Sequence, residues 1–224
     1  MVAVLPLSSG TGEGAGGEVM PELCVDTRRV GGAFSVDENA RRLIHYRFAE
    51  NVCMTTAAAW APTSPQMKVK FALGEHCYQD SIHAFWLGQR LPELRVMDQA
   101  DIAAPPTLRS SGKAEPPNEA FLRFCEEMQL QTDQLLRVVG LYRVLKTHLA
   151  VYYRHHAAVT DPICDAPTVR ILRHILLEEE EQLRWGQAIY EELAATTEDR
   201  RCALEWQMEL EDLLIRSGGV TGGR

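Results

Sequence analysis

An all-α fold is what this sequence predicts, on three observations. Apolar residues recur at intervals of three and four through successive long stretches, the period of a helix with one buried face. No stretch alternates convincingly as a strand would, and no internal repeat is visible. One long interruption, Leu91 to Pro117, carries prolines at 92, 105, 106, 116 and 117 and the triplet Ser110-Ser111-Gly112. In four-helix bundles such a link between the second and third helices lets the chain return along the other side of the core.

A chain of 224 residues, 46% hydrophobic and 24% charged, can bury a full core and suits one domain better than two. Its net charge of −8, with Lys and Arg scattered singly or in pairs, argues against a nucleic-acid footprint. The six cysteines form no C-x-x-C pair and read as reduced thiols, mostly core fillers. The apolar run Val2 to Leu7 is broken by Pro6 and lacks a basic leader, so neither a signal peptide nor a membrane span is expected, and the cytoplasm is the expected location.

Residues 1–34 are read as a Gly-rich mobile segment, because Gly10, Gly12, Gly14, Gly16 and Gly17 leave little apolar surface to offset ordering entropy. Residues 35–195 are read as the bundle and 196–224 as a C-terminal helix and tail packed outside it. Ser35-Val36-Asp37-Glu38 has the form of a capping box. The first helix then runs to about Trp60, with Leu43, Tyr46, Glu50, Cys53 or Met54, and Ala57 on its inner face. After Pro62 to Pro65, with Pro65 suited to a first helical turn, a second helix reaches about Gly88. Its inner stripe is Leu73, His76, Asp80, His83 and Leu87.

Beyond the link, Glu119 to about Gln131 is helical in pattern, and after a kink near Thr132 a third main helix runs from Asp133 to about Ala158. Its inner stripe is read as Val138, Tyr142, Leu145, Leu149 and Tyr152, with His155 and His156 complementing the dipole at its end. Asp165 should cap the fourth helix, which continues to about Leu193 with Leu172, Ile175, Glu179, Gln182, Gly186 and Ile189 inward. Of the acidic run, Glu178, Glu180 and Glu181 are assigned to solvent. A last helix from about Glu198 to Arg216 carries Leu204, Met208, Leu210 and Leu214 and stops at Ser217-Gly218-Gly219.

Two imidazoles and a carboxylate beside leucines on one stripe are costly to bury unless they are paired or bind a metal. The four main helices bring partners: Glu50, then His76, Asp80 and His83, then Tyr142, then Glu179 and Gln182. Asp80-x-x-His83 and Glu179-x-x-Gln182 each point two side chains at one spot, and a carboxylate with an imidazole suits iron or manganese. A buried hydrogen-bonded pair that fixes helix register is the structural alternative for Asp80 and His83.

On these residues the chain resembles the ferritin-like superfamily over about residues 36 to 195. Its di-metal members place one carboxylate on each of two helices and Glu-x-x-His on each of the other two. The resemblance implies Glu50, Asp80, His83 and Glu179 as metal ligands for one or two iron ions, with Gln182 where the second histidine would stand and Tyr142 where a carboxylate would. Segments Leu73 to Ala84, Arg90 to Arg95 and Asp165 to Arg170 are similar to those of uncharacterised bacterial ferritin-like proteins.

The expected function is an iron-dependent oxygenase or oxidase of specialised metabolism acting on a small organic molecule, with His76, Asp80, His83, Tyr142 and Glu179 as catalytic groups and Tyr46, Tyr142, Gln182 and Trp185 against substrate. The alternatives are a metal-independent acid/base enzyme (a cyclase, isomerase, lyase or hydrolase) that reuses the same groups, and a binding protein without catalysis. Neither nucleic acid nor membrane is expected as a partner, and a homodimer is compatible with helices outside the core. Trp60, Trp86, Trp185 and Trp206 read as packing anchors.

Overall fold

The computed structural model describes residues 32–96 and 113–223. The Gly-rich segment and most of the long link, including Ser110-Ser111-Gly112, lie outside the described residues, as does Cys24. Among the described residues no strand occurs, and no helix is long and apolar enough to cross a membrane.

Helix α1 spans Val36–Trp60 and begins where Ser35 accepts from the Glu38 amide. Only half of the expected capping box forms, because the Glu38 carboxylate pairs with Arg41 and Arg42. Helix α2 spans Met67–Arg90, starting two residues after Pro65, and packs along the length of α1. The chain then makes a 3-10 turn, Pro92–Leu94, before the undescribed part of the link.

Helix α3, Glu119–Gln129, is capped by Asn118. The expected kink follows, and Asp133 caps the next segment by accepting from Leu135 and Leu136 amides. That segment is composite: α4 (Gln134–Val138), a π-helical stretch Val139–Lys146, and α5 (Thr147–Val159). A π turn carries more residues than an α turn, which moves the inward position after Tyr142 toward Lys146. The Thr147 hydroxyl donates to the Tyr142 carbonyl at 2.9 Å, satisfying an acceptor inside the irregular turn. Beyond it the inner face falls on Leu149 and Tyr153, and Tyr152, expected inward, is only half-buried.

Helix α6, Ala166–Leu193, packs against α2, the π stretch and α5, with all six expected inner residues buried. Asp165 precedes it without capping it, since its carboxylate is drawn to Arg90, the Thr168 hydroxyl and Asn39. Gly186 allows close contact, because a Cβ there would lie 2.5 Å from the Tyr142 Cβ. Helix α7, Thr197–Arg216, opens with a true capping box, Thr196 with Asp199. It packs on α3 and the π stretch through Ala203, Leu210 and Leu214, while Leu204 and Met208 are exposed. It ends before Gly218, whose φ of 77° suits glycine.

The elements enclose one main core running from Leu43 and Tyr46 on α1 to Leu172 and Ile175 on α6. Trp60 is buried in it, and Trp86, Trp185 and Trp206 pack at its edge. The described residues form one compact unit, so α7 belongs to the same body as the other helices.

Candidate functional site

Regular helical spacing, with the π stretch for Lys146, carries five titratable side chains into the centre of this core. Glu50 is on α1, Asp80 and His83 on α2, Lys146 at the end of the π stretch and Glu179 on α6, and each is 0% exposed. The Lys146 ammonium donates to Asp80 Oδ1 at 2.8 Å and to Glu179 Oε1 at 2.7 Å. Gln182 Nε2 donates to the same Asp80 oxygen at 3.1 Å and to Gln79 at 2.9 Å. Tyr153 donates to Glu50 Oε1 at 2.6 Å.

His83 is held on both sides. Nδ1 lies 3.3 Å from Glu50 Oε2 and Nε2 lies 2.7 Å from Glu178 Oε2. Ionised carboxylates only accept, so a carboxylate partner at each ring nitrogen favours the imidazolium form. Glu178 was assigned to solvent, and its side chain is 37% exposed, yet one of its oxygens reaches into the core. Being next to Glu179 on the helix does not prevent this, because a long side chain can bend back across the α2–α6 seam.

The electrostatics follow from that arrangement. Burial by itself would raise Glu50, but the charges of His83 and Lys146 and the hydrogen bonds from His83 and Tyr153 hold it below the usual carboxylate range. Burial raises Asp80 and pushes Glu179 up to about 7, in both cases against the attraction of Lys146 and with repulsion from Glu50. Burial would lower His83, but Glu50 and then Glu179 push it up to about 9. Lys146 moves up despite burial because Asp80 and Glu179 face it. Three buried carboxyls therefore share two buried cations, and a proton held near neutrality by Glu179 would balance the cluster.

His76 has a different setting two turns earlier on α2. It is buried, its Nδ1 is 2.6 Å from the Tyr142 hydroxyl, and both rings make edge contacts with Trp185. Burial, reinforced by the charge of Lys146, pushes His76 down to about 3. The imidazole is neutral, and the Tyr142 phenol, moved well up by burial, donates to it. Tyr46 lies apart from the charged cluster, packed edge-on against Tyr153 and close to His156. His156 is also buried, donates from Nε2 to Asn39 Oδ1 and accepts at Nδ1 from the Tyr46 hydroxyl, and is pushed down to about 4 by burial. It is therefore not the dipole-complementing cation expected at the end of the helix, since its neighbours enclose it.

Glu50, Asp80, His83 and Glu179 could hold a metal ion, as each offers a ligand atom within 4.8 Å of the others. Asp80 Oδ2 and Glu179 Oε2 make no hydrogen bond although buried, so each retains a donor atom for an ion. Three carboxylates and an imidazole fit one hard cation such as iron or manganese, provided His83 gives up a proton. A second ion does not fit: Lys146 brings a positive charge to the position where a carboxylate would be needed, and Gln182 is a weak ligand. The reading from sequence placed Tyr142 there and missed Lys146. A lysine on an otherwise apolar helix face is the signal that could have found it. Comparison with family models, with characterised proteins and with solved structures finds no match for this chain.

Proposed function

We propose that the protein is a metal-independent acid/base enzyme acting on a small organic molecule, built on a ferritin-like helical bundle whose metal site has been taken over by internal cations. The observation that carries this reading is the pairing of Lys146 with Asp80 and Glu179. An ammonium there compensates the carboxylates that would otherwise require an ion. His83 supplies the proton-transfer element. Glu50 orients the ring through Nδ1, Nε2–H faces Glu178, and Glu178 connects the buried ring to the protein surface. A proton taken by Glu178 from a substrate carbon or hydroxyl can pass no further inward while His83 is an imidazolium. It stays on the Glu178 carboxyl, which acts first as base and then, returning the proton, as acid, with Nε2–H holding the carboxylate in place. Tyr153 and Lys146 fix the far side of Glu50 and Glu179, which keeps the carboxylates from reorganising during transfer.

The orphaned Asp80 Oδ2 and Glu179 Oε2 favour a second reading, an iron-dependent oxidase or oxygenase with one ion held by Glu50, Asp80, His83 and Glu179. The ion would supply redox chemistry with oxygen. In that reading Lys146 would neutralise the oxygens turned away from the ion.

Chelator-treated protein incubated with a metabolite extract in D2O distinguishes these. Deuterium entering a small molecule with the wild type, and not with Glu50→Gln or His83→Ala, is the expected result. Conversion that requires added iron and oxygen would establish the second reading instead, and no conversion under either condition would overturn both.

A further inference from the structure

Between α2 and α6, about one turn along each helix from His83 and Glu178, lies a groove of about 680 Å³ lined by Trp86, Arg90, Arg170 and His174, within the range of small-ligand sites. Trp86 and Ile171 form its apolar wall together with Ala166 and Pro167, and the Trp86 and His174 rings lie 6.0 Å apart. Two guanidinium groups reach it. Arg90 is fully engaged by Glu93, Asp165 and the Thr168 hydroxyl. Arg170, by contrast, is exposed in the groove and makes no ion pair among the described residues. A smaller depression that shares Arg170 and His174 adds Arg173, giving a local basic patch on a chain of net charge −8.

We infer that this groove binds a planar apolar carboxylate, its anionic end on the Arg170 guanidinium and its ring along Trp86 and His174. A bidentate guanidinium contact suits a carboxylate, and flat apolar surface suits an indole wall. The acid Glu93 does not cancel the site, because it is paired with Arg90. The opposite end of such a ligand would extend along the seam toward Glu178, the exposed member of the acid/base pair. His83 is three residues before Trp86 on α2, their rings are 6.3 Å apart, and Glu178 is four residues beyond His174 on α6. From Arg170 to Glu178 is about 12 Å along the helix, the reach of a one-ring carboxylate with a short side chain. The assignment deepens the acid/base reading and rests on it for the identification of this carboxylate as substrate rather than as a bystander.

Cinnamate and its neutral amide are suitable probes, titrated calorimetrically into the full-length protein. Saturable binding of cinnamate to the wild type is expected, weakened about tenfold or more in Arg170→Ala, as for loss of a charged hydrogen bond. Cinnamamide should bind more weakly than cinnamate and respond little to that substitution. His83→Ala should still bind cinnamate, which would support the groove even where that variant exchanges no deuterium. Absence of saturable cinnamate binding at millimolar concentration, or equal affinity in wild type and Arg170→Ala, would overturn the assignment while leaving the acid/base reading to its own test.

Discussion

Two histidines on one face of α2, His76 and His83, occupy opposite electrostatic settings. His76 accepts from a phenol, is packed among aromatic rings and is pushed down to about 3, with Lys146 adding to the effect of burial. His83 donates to a carboxylate on each side and is pushed up to about 9. Both are buried, so burial does not decide their charge. What differs is the sign of the nearest groups. Lys146 repels a proton from both rings, and only at His83 do Glu50 and Glu179 outweigh it.

The comparison can be broken most severely at Lys146. Lys146→Met leaves Asp80 and Glu179 facing each other without their cation and should cost about 3–5 kcal/mol in urea unfolding. A loss below about 1 kcal/mol would show that the carboxylates do not depend on it.

The histidines predict opposite limbs of the stability profile. His76 and His156 have folded values near 3 and 4 against an ordinary 6.5. Their contribution is fully present above pH 6.5 and is lost as pH falls through that value toward 4. For His83 the folded value is raised to about 9, so its contribution is present below pH 6.5 and is lost as pH rises through 9. His83 and His156 each account for about 3 kcal/mol across their limbs and His76 for about 5 kcal/mol. His156→Gln should flatten the acid limb, and His83→Gln the alkaline one, in unfolding measured at stepped pH. An acid limb unchanged in His156→Gln would contradict the neutral assignment.

A smaller effect is expected at the aromatic partner. In Gly186→Ala the new methyl meets the Tyr142 ring, which must move away from His76, at a cost of about 1–3 kcal/mol. Unchanged stability would mean that Tyr142 has room to shift. Smallest is Glu178→Gln: a partly exposed ion pair contributes about 1 kcal/mol or less, yet the variant should lose proton transfer in the D2O assay. Retained transfer would remove Glu178 from the mechanism.

The buried residues on α1, α2 and α6 were legible because those helices keep a regular period, so Glu50, Asp80, His83, Glu179 and Gln182 could be phased from neighbouring leucines. The third main helix could not be phased in the same way. Its π stretch breaks the period at the position where the decisive residue stands, and Lys146 was passed over for Tyr142. Glu178 was missed for another reason: helical phase locates a Cβ, whereas a glutamate's carboxylate can reach across a seam. Asp165 was misread because a local capping role was weighed without its distant partner Arg90. Those failures fall on polar contacts between helices, which local spacing does not encode.

The central claim is that internal cations, His83 among them, complete this cluster. ¹⁵N NMR of the protein at pH 7, with His83 assigned by comparison with His83→Gln, measures it directly. The account predicts hydrogen on both ring nitrogens of His83 and a neutral ring at His76. A His83 ring protonated on one nitrogen only, or broadened by a bound paramagnetic ion, would contradict it.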